Sequence, residues 1–119
     1  MAALLQRYRA EDLDMTSAEV VDCRSLPPGS LVEVETKSRH YHIECLGGNE
    51  IRISGHPQIC PNPVPARLNG SLDEEGILES GLIGRGMRMM FFVGNQRPVT
   101  TSEILLVEVD EPHDSGWAG

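Results

Sequence analysis

Lysine is almost missing from this chain: Lys37 stands beside nine arginines, and these ten basic residues face eighteen carboxylates for a net charge of −8 over 119 residues. The arginines are scattered among acids and form no basic run. Phosphate neutralisation supplies most non-specific nucleic-acid affinity, so this balance speaks against DNA or RNA as a partner. It speaks equally against docking on an anionic membrane surface. Aromatics are scarce too. With Tyr8, Tyr41, Phe91, Phe92 and Trp117 as the whole set, a stacking platform for single-stranded nucleic acid is hard to build. The core must then come mainly from Val, Ile, Leu and Met.

Long hydrophobic runs are missing as well. Nothing is long enough to span a bilayer, and the opening Met1-Ala-Ala-Leu-Leu-Gln-Arg does not read as a secretory signal. Cysteine is limited to Cys23, Cys45 and Cys60, an odd set without C-x-x-C spacing, which does not read as a disulfide framework. A cytoplasmic location is the resulting expectation, with no membrane partner.

What the chain has in quantity is period-two alternation. Met87, Met89, Phe91 and Val93 alternate along one segment, and Leu105, Val107 and Val109 along the next, with Asn95-Gln-Arg-Pro98 between them. That pattern predicts a β-hairpin with one apolar face. Leu31-Val-Glu-Val-Glu-Thr36 alternates likewise, with Val32 and Val34 inward. His40 to Leu46 follows, with Tyr41, Ile43 and Cys45 on its apolar side, and Glu50 to Ser54 brings Ile51 and Ile53. A three-residue loop at Gly47-Gly48-Asn49 sets a register between the last two segments. Leu46 then faces Glu50, Cys45 faces Ile51, Glu44 faces Arg52, Ile43 faces Ile53, and His40 faces His56. Inward residues meet inward ones, and Glu44 meets an opposite charge.

From Gly55 to Pro65 four prolines forbid a regular ladder and predict an extended crossover loop. Val64 to Leu68 pairs along a sheet edge, and Ser71 to Ser80 reads as an exposed acidic loop. Before the sheet, Ala2 to Tyr8 reads as a short helix, and Thr16-Ser-Ala-Glu19 has capping-box spacing ahead of Val20 and Val21. The expected fold is therefore mainly β: a small single-domain barrel or two-sheet roll of SH3-like size with a short N-terminal helical arm. Residues 1–25 form the arm, 26–109 the β domain and 110–119 a disordered acidic tail carrying Trp117.

Leu26-Pro-Pro-Gly-Ser30, Gly81-Leu-Ile-Gly-Arg-Gly-Met-Arg-Met-Met-Phe91 and Val99-Thr-Thr-Ser-Glu-Ile104 also carry a resemblance. Over the core span the chain resembles short bacterial β-domain proteins that have no assigned activity. The resemblance implies a small β fold and supplies no site residues.

The sharpest chemical grouping is histidine. His40 and His42 lie two apart, hence on one outward strand face, and the loop register sets His56 across from His40. Cys60 follows His56 by four residues. Three imidazoles and a thiolate are a set that zinc accepts in a tetrahedron, so His40, His42, His56 and Cys60 are the candidate metal ligands and zinc the candidate cofactor. Cys45 is excluded because its side chain points inward. The same imidazoles, held together, would repel on protonation and make the protein sensitive to mild acid. Gly81, Gly84 and Gly86 precede a strand rather than opening a helix, so they mark a bend or close backbone crossing, not a phosphate loop.

No nucleophile-elbow pattern or raised-pKa carboxylate pair marks an enzyme. The leading expectation is a non-catalytic protein-interaction module, with a protein partner or self-association. Its surface would include the proline loop and the face of Ile104 and Leu106, which lies opposite Leu105 and Val107. The alternative is a small metal- or ligand-binding β-barrel built on the histidines.

Overall fold

The computed structural model describes residues 16–112. Apolar side chains alternate with polar ones through much of that span, and it forms ten β-strands with no helix among the described residues. These are β1 (Thr16–Ala18), β2 (Val20–Asp22), β3 (Leu31–Thr36), β4 (His40–Gly47), β5 (Glu50–Ser54), β6 (Val64–Leu72), β7 (Leu78–Ser80), β8 (Leu82–Gly84), β9 (Arg88–Phe92) and β10 (Val99–Asp110). Six of them close a barrel. Neighbours pair antiparallel from β3 through β4, β5 and β6 to β9 and β10, and β10 returns to β3.

Closure depends on two long strands that each serve two partners. β10 pairs with β9 through residues 99–103 and with β3 through residues 104–110. β6 pairs with β5 through residues 64–67 and with β9 through residues 67–72. Register shifts fall at these changeovers, between Ile104 and Leu106 and between Leu68 and Gly70. An extra residue on one strand bends it and increases its twist, which carries the chain round the barrel corner. Gly70 sits at φ +143°, where a Cβ would run into the Glu79 carbonyl, so no other residue fits there.

The barrel interior is aliphatic. Val32, Val34, Ile43, Ile51, Ile53 and Met89 are all buried, and Tyr41 meets Phe91 edge-on with ring centroids 5.8 Å apart. Most of the expected alternation holds, and the β10 shift explains where it fails. Ile104, expected outward, is in the core, while Leu105, expected inward, is 43% exposed. The register shift flips side-chain parity at Ile104, and a second shift between Thr100 and Glu103 flips it back, so that Thr101 is buried. An apolar patch containing Ile104 is thereby removed from the outer surface.

The helix expected at Thr16 to Glu19 is corrected to strand. Thr16–Ala18 pairs with Val109–Val107 of β10, and Val20–Asp22 pairs with β8. The free edge of β10 offers backbone partners that a single helical turn cannot match, and β-branched Val20 and Val21 favour the extended form. The helix expected over residues 2–8 lies outside the described residues, as does most of the acidic tail expected over 110–119, of which Asp110 belongs to β10.

The cysteine reading is corrected as well. Cys23, in the turn after β2, is joined to Cys45 of β4 by a disulfide, with Cα atoms 6.2 Å apart. Spacing alone carried no sign of this pair, because β2 reaches β4 only through the fold. Disulfides persist in oxidising surroundings and are rare in the cytosol, so cysteine usage no longer argues for a cytoplasmic location. No helix among the described residues is long and apolar enough to cross a membrane.

Candidate metal centre

The β3–β4 hairpin builds the site. Its turn is tied by Thr36, whose Oγ1 accepts the backbone N–H of Arg39 at 2.9 Å and of Ser38 at 3.2 Å. That closure pairs Glu35 with His40 and Glu33 with His42. Val32, Val34, Tyr41 and Ile43 take the inward positions, so Glu33, His40 and His42 are forced onto the outer face. Glu33 lies directly opposite His42 and diagonal to His40, both within side-chain reach across a ladder.

The carboxylate of Glu33 sits between the two rings. Its Oε1 is 2.6 Å from His40 Nε2, and its Oε2 is 2.9 Å from His42 Nδ1. The ring centroids are 4.9 Å apart with the planes tilted by 42°. Neutral imidazoles satisfy this arrangement when His40 carries its proton on Nε2 and His42 on Nδ1. One ligand atom from each of the three residues lies within 4.8 Å of the others. Glu33 is the most enclosed of the three, with a side chain 25% exposed against 47% for His40 and 59% for His42.

Two of the four expected ligands are thus brought together, and two are not. β5 ends at Ser54, opposite His42, so the ladder never reaches His56. Gly55 breaks it: its φ is +127°, and a Cβ there would run into the His40 carbonyl. The chain then turns at Pro57, and His56 bridges to Cys60 instead. The His56 ring is engaged locally, with Nδ1 accepting the backbone N–H groups of Gln58 and Ile59 at 3.2 Å each. Burial and the Arg39 guanidinium hold its pKa below the ordinary imidazole value. Cys60 is fully buried, and burial pushes its thiol upward, away from the thiolate that zinc requires.

Alternation alone does not single out Glu33, because its place beside the histidines depends on the β3–β4 register. The signal was there in the short Lys37-Ser38 connection, which sets Glu33 across from His42 as soon as it is counted. The neighbouring pair was found: Arg52 Nη1 donates to Glu44 Oε1 at 2.9 Å. Of the glycines at 81, 84 and 86, the first two are at close approaches, while Gly86 has open space around it and serves a turn at φ +82°. Gly81 lies against the Arg24 side chain, and a Cβ on Gly84 would meet Met87 and Val20.

Searched against known proteins, the chain matches no family model, no curated protein and no solved structure.

Proposed function

We propose that this protein is a small β-barrel that binds a divalent transition metal through Glu33, His40 and His42. One observation carries the reading: a carboxylate and two imidazoles from adjacent strands direct three ligand atoms into a space less than 4.8 Å across. Two nitrogens and one oxygen suit zinc, and three protein ligands leave a coordination position open. The ligands stand on a paired, bulge-free stretch of β3 and β4, so little ordering is needed on binding. In the metal-free protein the two imidazole protons occupy the place the cation would take. Where the metal takes a nitrogen that carried the proton, that proton moves to the ring's other nitrogen, so a neutral imidazole changes tautomer and loses no proton. The role is one of binding and is ranked above a protein-interaction module, since the β10 patch that favoured the latter has Ile104 in the core.

The test is titration of zinc into protein stripped with a chelator and carrying no histidine tag. One equivalent is expected to bind. Glu33→Gln and His42→Ala should each weaken binding by about tenfold or more, because each removes a direct ligand. His56→Ala should bind as the parent does. A stoichiometry well below one, or equal loss in His56→Ala, rejects the site.

A further inference from the structure

A cavity of about 180 Å³ opens beside the three ligands and is lined by Glu33, His42, Glu44, Arg52, Ser54 and Pro63 among others. We propose that it holds a short dicarboxylate, one end on the bound metal and the other on Arg52. This rests on the metal site proposed above.

The strand registers give the layout. Glu33, His42 and Ser54 form one row across β3, β4 and β5, while Glu44 and Arg52 form the next. Two residues along a strand advance roughly 7 Å. The metal and the guanidinium are thus two positive groups on one cavity wall, separated by about the length of a short diacid with its contacts.

The polar groups have capacity to spare. Arg52 Nη1 donates to Glu44, and the guanidinium makes no other hydrogen bond among the described residues, leaving donors for a planar carboxylate. Ser54 is mostly buried, and its hydroxyl makes no hydrogen bond to another described residue but stays accessible from the cavity. It lines the cavity directly beside the row of the ligands.

Charge sets the order of events. Without metal, Glu33 and Glu44 outweigh Arg52, and the cavity is net negative. A divalent cation turns it net positive, so the anion binds only to the loaded protein. A cavity of about 180 Å³ has room for a three- or four-carbon diacid.

Cobalt(II)-loaded protein, followed by its visible absorption, provides the experiment, with malonate and acetate as probes. Malonate is expected to perturb the spectrum and to bind about tenfold or more tightly than acetate. Arg52→Gln should erase that preference while retaining cobalt affinity within about twofold of the parent's, and Ser54→Ala should weaken malonate alone. Should cobalt fail to bind, the metal reading falls and this one with it. Should cobalt bind while malonate leaves the spectrum unchanged, or bind equally well to Arg52→Gln, the metal reading stands and the dicarboxylate is rejected.

Discussion

His56 shows how one backbone angle can redirect a side chain's chemistry. Gly55 turns the chain, and the imidazole becomes the acceptor for two amides of its own loop. Because burial first and Arg39 second disfavour its charged form, the folded protein takes up a proton at lower pH than the unfolded chain, whose histidine titrates near 6.5. The unfolded state then binds more protons in the window between the two values, so stability rises with pH across it. The contribution is complete above about pH 6.5 and is lost as pH falls towards the depressed folded value. His56→Asn keeps an acceptor for Gln58 and Ile59 and removes the titration. Urea midpoints measured from about pH 7.5 to about pH 5 should fall less steeply in that variant; an unaltered slope assigns the dependence elsewhere. At this scale the sequence was legible wherever period two was enough. His40 and His42 share a face because they lie two apart on a strand. His56 was illegible because its place depends on a positive φ at Gly55, and proximity in sequence does not encode that.

Among elements, the β4–β5 hairpin was read almost completely. Cys45 faces Ile51, Glu44 faces Arg52 and Ile43 faces Ile53, as loop and alternation together required. Its two ends differ: His40 does not meet His56, and at the tip Gly47, not Leu46, pairs with Glu50, with a register shift at Leu46. Gly47 and Gly48 accommodate this through φ of +115° and +59°. β10 was read less well, since alternation gives no notice of an inserted residue. The consequence can be measured by truncation. Ile104→Ala removes a fully packed side chain and should cost about 2–5 kcal/mol, whereas Leu105→Ala should stay within about 0.5 kcal/mol. Similar costs for the two would place the bulge elsewhere in β10. The sequence predicts a sheet edge over Val64 to Leu68, yet β6 lies between β5 and β9 and continues to Leu72. Pro65 is tolerated in it, opposite Arg52, although proline removes a ladder donor.

For the whole molecule, a barrel was among the expected forms, but its closure was not readable. It requires β6 and β10 to change partners midway, and no local pattern announces such a change. The disulfide belongs to this scale too, because it ties the segment carrying β1 and β2 to the barrel wall. It closes a loop with a sequence separation of 22, for which chain entropy gives roughly 3 kcal/mol of stabilisation. Reduction, or Cys23→Ser with Cys45→Ser, should lower stability by about that amount. Thiol titration after unfolding should find one free group per chain without reductant, Cys60, and all three with it. Three free groups in unreduced protein, with no loss of stability in the double variant, would remove the cross-link.

Thr16 and Val109 are ladder partners, so their Cα atoms stand about 5 Å apart. The polypeptide thus leaves the barrel beside the point where it entered. Residues 16–110 can be spliced as a cassette into a surface turn of a host protein without prying that turn open. Joining these two ends through a few glycines, and cutting at Asn95, yields a permuted chain with every sheet contact preserved.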